Sequence, residues 1–324
     1  MKTEESVSIK QINIDRIRTC MDREESVSKS RISRQLGLSF PTVTRLMDEL
    51  CASGEVLEQG TGSSTGGRCA SMYQLNPAYH LYLLIQIENG RIRWTIKDLR
   101  ERPVEQGEFA FETFSLERLD QLMADTGARY ERLSAAAIGI AALVNRGVVE
   151  ESELFDCLKG MNLTEHLRTV TPVPAVFDND MNFLTMGCWT AWQDSVNSLV
   201  TLFLNNCGMG GGMIIDGKLW TGASGFSTEP CYLPFMDEYW NGLSGDLARY
   251  DIVEPYTRLI QIYAATVNPS MVVLYSHPLL EGKLDEIRSS CAACIPAKAL
   301  PVIELSRNYQ NDYESGLFAM ARNI

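Results

Sequence analysis

Residues 28–52 read SKSRISRQLGLSFPTVTRLMDELCA. Ser28 is a good helix N-cap, and Ile32 and Leu36 follow it at i, i+4 spacing. Gly37 suits the left-handed position that closes a helix. Ser39 offers a second cap, and Pro41 is tolerated in a first helical turn. In the helix that runs from there to about Ala52, Val43, Leu46, Met47 and Leu50 share the inward face, while Thr42, Thr44 and Arg45 point outward. Upstream, Ile14, Ile17 and Met21 place another short helix over about 13–21. A helix, a tight glycine turn and a second amphipathic helix make the helix-turn-helix pattern. A small bundle used for packing or protein contact has the same three helices. The following residues favour the first reading: 54–59 predict a strand, 60–67 a tip with four glycines, and 71–75 a returning strand. The expectation for 1–78 is an α+β winged helix-turn-helix domain that binds double-stranded DNA.

The candidate DNA contacts are Lys29, Arg31, Ser39, Thr42, Thr44, Arg45 and Arg68. Small hydroxyl side chains permit close approach to the major groove, Arg45 can donate to a guanine edge or a phosphate, and Arg68 at the wing tip can reach a phosphate or the minor groove. Charge distribution agrees. The chain of 324 residues carries a net charge of −12, yet residues 1–78 hold 10 basic and 10 acidic residues. Between Lys29 and Met47 lie four basic side chains and no acidic one. Local charge outweighs the global sum because screening acts within about 8–10 Å.

Hydrophobic content of 45% and charged content of 22% exclude bulk disorder. No run approaches the ~20 apolar residues of a membrane span, and the N-terminus MKTEESVSIK has no signal-peptide core, so a cytoplasmic protein with no membrane partner is expected. Nine scattered cysteines fit reduced thiols better than a disulfide framework. His80, His166 and His277 form no visible triad or metal set.

Beyond Pro77 the pattern changes. Strands are expected at 81–87, 92–99, 107–111 and 135–143, with a helix over 116–130. A second set opens with a strand at 198–204, then a glycine-rich turn at 208–212, a strand at 213–215 and an Asp216-Gly217 hairpin turn. Two α/β lobes with similar openings point to an internally duplicated domain with a cleft between its halves.

Several motifs resemble the ROK family (repressors, open reading frames, kinases), in particular its winged-helix sugar repressors related to the N-acetylglucosamine and xylose repressors. They are Ser64-Thr-Gly-Gly-Arg68 with Cys69 in place of a proline, Asn179-Asp180-Met181-Asn182, Gly208–Gly217, and Gly225-Phe-Ser-Thr-Glu229. The resemblance covers nearly the whole chain. It implies an α/β two-lobed actin-like (hexokinase/ROK) effector domain over 79–324. Lobe 1 would span about 79–190 plus the C-terminal helix, and a shortened lobe 2 about 191–310. It also implies a sugar or sugar-phosphate effector in the interlobe cleft, held by Asn179, Asp180 and Glu229, and a homodimer.

The departures from the family pattern carry as much information. The first phosphate loop reads Gln86-Ile-Glu-Asn-Gly-Arg91, so Gln86 replaces a metal-holding aspartate and Glu88 opposes a triphosphate. The second loop begins Asn206-Cys207-Gly208, and Tyr275-Ser276 replace a late glycine pair. Phosphoryl transfer rests on positioned donors and metal, so no catalysis and no cofactor are expected. Cys231-Tyr232 stand where the family's zinc site begins, no further ligand cluster follows, and no metal is expected. The reading is thus a transcriptional regulator, a repressor of carbohydrate-utilisation genes. The alternatives are a sugar kinase, or a regulator with a vestigial pocket that answers to a protein partner. In that last case Asn179 would merely cap a helix and Glu229 fix a turn.

Overall fold

The computed structural model describes residues 9–22, 24–61, 70–88, 90–151, 155–205, 208–236 and 251–324. They fall into two compact units, Met1–His80 with Asp98–Arg102, and Leu81–Lys97 with Pro103–Ile324.

In the first unit, helices α1 (Ile9–Asp22), α2 (Lys29–Leu36) and α3 (Phe40–Ala52) enclose a core of Ile14, Ile17, Met21, Ile32, Val43, Leu46, Met47 and Leu50. The local signals act as expected. Ser28 Oγ accepts from the Arg31 amide, Ser39 Oγ accepts from the Thr42 amide, and Gly37 takes the left-handed conformation at φ 64°. Helix α1 starts four residues earlier than its apolar spacing predicts, because the isoleucines of its first turn, Ile9 and Ile12, are exposed and lie outside the buried stripe of Ile14, Ile17 and Met21. Strands β2 (Val56–Thr61) and β3 (Ser71–Leu75) pair antiparallel, and β1 (Val27–Ser28) adds an unforeseen third strand beside β3. Two residues are too few to leave a period in the sequence. Glu55, with a side chain only 4% exposed, receives Arg18 on both carboxylate oxygens at 2.5 and 2.9 Å, which ties the β2 entrance to α1.

The second unit contains two five-stranded sheets of one topology. In the first, β4 (Leu81–Glu88) is central. It runs parallel to β7 (Leu133–Ile140), which is parallel to β10 (Ala175–Asn179), and on its other side lie β5 (Arg91–Asp98) and β6 (Pro103–Ala110). In the second, β11 (Leu199–Asn205) is central. It is parallel to β14 (Met271–Tyr275), which is parallel to β15 (Val302–Ser306), and its antiparallel flank is β12 (Gly208–Ile215) and β13 (Lys218–Leu219). The duplication read from the strand openings is therefore present in the hydrogen-bond ladders. A short hairpin, β8 (Leu143–Asn145) and β9 (Val148–Glu151), follows β7. Helices α4 (Leu116–Arg129) and α5 (Leu163–Val170) cover one face of the first sheet over Leu83, Ile85, Ile87 and Ile138. Helices α7 (Val253–Thr266) and α8 (Leu284–Cys294) cover the second over Val200, Leu202, Val272 and Leu274.

Two helices run between the sheets, α6 (Asp180–Trp192) and α9 (Tyr309–Arg322). They cross at Gly187 and Gly316, where a Cβ on either glycine would lie 2.6 Å from a carbonyl carbon of the other helix. Helix α9 also packs on the first sheet through the edge-to-face pair Tyr82–Phe318.

One expectation is corrected. Residues 208–212 form no turn but the first part of β12, paired residue for residue with β11. Their glycines serve packing. A Cβ on Gly210 would meet the Met181 side chain at 2.9 Å, and one on Gly211 would meet Thr228 at 2.7 Å. The reversal after it, Asp216-Gly217, is a turn with both φ positive, 50° and 73°, as a two-residue hairpin of this sequence requires.

Candidate functional site

Two groups of the expected residues are assembled, one in each unit. On the first unit the exposed face of α2 and α3 carries Arg31, Ser39 and Arg45, with Lys29 and Thr42 half-buried. The basic patch is less naked than the sequence indicates. Lys29 Nζ lies 2.5 Å from Asp48, Arg31 bonds Glu24, and Arg45 lies 3.3 Å from Glu49, which also receives Lys10 at 2.7 Å. The acids lie just outside the acid-free window, and the helical repeat brings two of them to the same face. Arg34 is exposed and makes no ion pair among the described residues. It is the cation that the choice of contact residues missed, and its i+3 spacing from Arg31 is the signal that was available. Thr44 departs from its expected outward position. It is half-buried, and its hydroxyl is buried with no hydrogen-bond partner among the described residues, because a residue between Val43 and Leu46 sits at the edge of the packed face. Arg68 lies outside the described residues.

In the second unit, β10 delivers Asn179 and α6 begins at Asp180. Asn179 caps that helix: its Oδ1 accepts from the Met181 amide and its Nδ2 donates to the Ala142 carbonyl, both at 2.8 Å. Its amide is used at both ends by the fold itself. Asp180 Oδ1 also accepts from the Met181 amide at 2.8 Å. Enclosure by the protein, then the charges of Glu88 and Glu229, push its carboxyl up to about 7. Burial alone pushes Glu229 up to about 7, and its carboxylate makes no hydrogen bond among the described residues. Asp180 and Glu229 are therefore brought together, and Glu88 joins them.

Glu88 ends β4 and is nearly buried, accepting from the Tyr309 hydroxyl at 2.9 Å with Arg93 at 3.4 Å. Tyr309 stacks on Phe203 with ring centroids 4.4 Å apart. Tyr309 thus touches the first strand of both sheets, Glu88 at the end of β4 and Phe203 in β11. Sequence reasoning picked out Glu88 as an obstacle to phosphate. It missed Tyr309, which is 221 residues away along the chain and had no motif to mark it. Gln86 is buried beside them, its Oε1 accepting from Gln310 Nε2 at 2.8 Å. Cys231 exchanges hydrogen bonds with the Met209 backbone in both directions, at 3.1 and 3.2 Å, so its thiol is occupied by β12. Tyr232 is exposed and packs edge-on to Phe226. Among the described residues no group of three or more His, Cys, Asp or Glu is placed to hold a metal ion, and no helix is long and apolar enough to cross a membrane.

Two twin-topology sheets joined by crossing helices, with an acidic cluster at their strand ends, define an actin-like α/β protein. Residues 98–239 match the model of the ROK family. It is 28% identical over 242 residues to a xylose repressor of Caldicellulosiruptor bescii, covering 68% of this chain and 58% of that one. It is 24% identical over 214 residues to a xylose repressor of Staphylococcus xylosus, covering 63% and 55%. The chain thus matches a little over half the length of these relatives. Among solved structures it resembles a ROK family transcriptional regulator, a homolog of the E. coli MLC protein, with TM-score 0.68 and 17% identity over 97% of this chain and 96% of that one. It also resembles a ROK family glucokinase from Streptomyces griseus, with TM-score 0.54 and 17% identity over 75% of this chain and all of that one.

Proposed function

We propose that the protein is a DNA-binding transcriptional repressor of carbohydrate-utilisation genes, controlled by a sugar in the cleft of its ROK domain. In this reading residues 1–78 form a winged helix-turn-helix, α3 enters the major groove, and the β2–β3 hairpin is the wing. Residues 79–324 form the effector domain. Lys29, Arg31, Ser39, Thr42, Thr44, Arg45 and Arg68 contact DNA, joined by Arg34. Similarity to two xylose repressors supports the repressor class. A homodimer would set two copies of α3 into successive major grooves, so the operator would be a near-palindrome.

The observation that carries the reading against catalysis is Glu88. A carboxylate held by Tyr309 at the end of the first strand puts negative charge where a triphosphate would need donors. Asp180 keeps a carboxyl suited to proton transfer near neutrality. With no phosphoryl donor beside it, it can only bind. Asp180 and Glu229 would hydrogen-bond sugar hydroxyls, while Asn179 fixes the start of α6. Effector binding acts as a switch only if it favours one lobe arrangement over another.

The test is an electrophoretic shift with the DNA upstream of the protein's own gene, with and without a hexose and pentose panel. Binding that weakens at least tenfold on Arg45→Ala, and falls steeply with salt, is expected. No shift by the wild type, or hexose-dependent ATP turnover abolished by Asp180→Asn, would overturn the proposal.

A further inference from the structure

Beside α9, the face of the first sheet that carries Leu84 and Gln86 continues across β5 and β6 as an open groove of about 330 Å³. Arg93, Thr95, Gln106 and Glu108 line it from the strands, and Gln310, Glu314 and Leu317 from the helix. Arg93 lies opposite Glu108 and Thr95 opposite Gln106 in the ladder, so all four share one face. The volume is within the range of small-molecule sites.

The charges around this groove are already matched. Arg93 pairs with Glu88 and Glu108 at 3.4 and 3.5 Å, and Glu314 pairs with Lys97 at 2.8 Å. What is unmatched is neutral. Gln86 is only 3% exposed, and its Nε2 has no hydrogen-bond partner among the described residues although its Oε1 is held by Gln310. Gln86 itself is one of the residues that line the groove. The side chains of Thr95 and Gln106 also make no hydrogen bond among the described residues. A buried donor left unsatisfied is costly, and a ligand that supplies the acceptor offsets that cost. An anion or a cation would have to break the existing pairs. A neutral molecule whose hydroxyls both donate and accept matches the two amides and the threonine, and Leu84 and Leu317, both buried, lie along the groove.

We infer that this groove is a second small-molecule site, distinct from the Asp180–Glu229 cluster, for a neutral polyol such as an unphosphorylated monosaccharide. It does not depend on the effector assignment, because it shares no residue with Asn179, Asp180 or Glu229.

The test uses the full chain with leucine methyl groups labelled, titrated with D-glucose, D-xylose, myo-inositol, glucose 6-phosphate and glucosamine. The expected result is saturable movement of the Leu84 and Leu317 methyl signals with at least one neutral compound, and weaker response to the phosphate. The double variant Thr95→Val, Gln106→Leu, at one half-buried and one exposed position, should weaken that response about tenfold, as loss of one or two hydrogen bonds implies. Asp180→Asn should leave it unchanged while removing any effector response at the cleft. Absence of saturable methyl shifts with every neutral compound overturns the inference. So does an unchanged affinity in the double variant, or loss of the shifts in Asp180→Asn alone.

Discussion

Replacing Gly316 by alanine tests the joint on which the two lobes meet. The added Cβ would lie 2.6 Å from the Phe183 carbonyl carbon, closer still to its oxygen, and 2.9 Å from the Gly187 nitrogen. Ordinary carbon contacts are about 3.5–4.0 Å, so α6 and α9 must separate by about 1 Å. The neighbours are backbone atoms and cannot swing away. Overpacking of this kind costs about 3 kcal/mol or more, at the upper end of the usual range, and the better helix propensity of alanine returns about 1 kcal/mol. A net loss of about 2 kcal/mol lowers Tm by about 4–8 °C in a unit of this size. Scanning calorimetry gives the measurement, with Ser315→Ala as the control for propensity. Because α6 carries Asp180 at its first turn, the separation should also weaken any ligand of the cleft. An unchanged Tm in Gly316→Ala, or an equal fall in Ser315→Ala, would refute the close-crossing argument.

Three further outcomes are expected. Glu49→Gln releases Lys10 and Arg45 from their shared carboxylate and should tighten DNA binding several-fold at low salt, with the gain fading as salt rises; an equal or weaker shift in the retardation assay would place this face away from DNA. Asp180 titrates near 7 in the folded chain against 3.8 ordinarily. The folded state therefore holds the extra proton between about pH 4 and 7, and the stability that proton confers is lost as pH rises through 7. The Tm of the wild type minus that of Asp180→Asn should accordingly be larger at pH 5 than at pH 8, and a pH-independent difference would contradict the burial. Arg18→Met strands the Glu55 carboxylate, whose side chain is 4% exposed. The loss should be about 2 kcal/mol, below the full buried-pair value because the guanidinium is itself more than a third exposed. Amide exchange at Leu46 and Met47 should rise roughly thirtyfold by that conversion; exchange within about threefold of the wild type would rule the pair out as a structural tie.

Much of the chain was legible because its signals are local. A cap such as Ser39 acts on an amide three residues away, Gly37 answers only to its own φ, and Asp216-Gly217 turns the chain without help. The period of Val43, Leu46, Met47 and Leu50 fixes a buried face before any partner is known. Gly208–Gly212 misled for the opposite reason. Glycine marks turns when read alone, but here Met181 and Thr228 take the space of the missing side chains, and neither is a sequence neighbour.

The candidate site shows the same division. Asn179, Asp180, Glu229 and Glu88 were all visible as residue types at motif positions. Their electrostatics were not, since Asp180 rises only because the fold encloses it and sets Glu88 and Glu229 nearby. The partners of the basic patch and the Tyr309 bond to Glu88 belong to the same class. By itself the sequence determined helix ends, turns, buried stripes and the repeated strand pattern, because those depend on backbone preference and spacing within a few residues. Only the tertiary structure decided which charges are neutralised, which glycines are contact points and which amide is left without a partner, because each of those is set by atoms that approach from tens or hundreds of residues away.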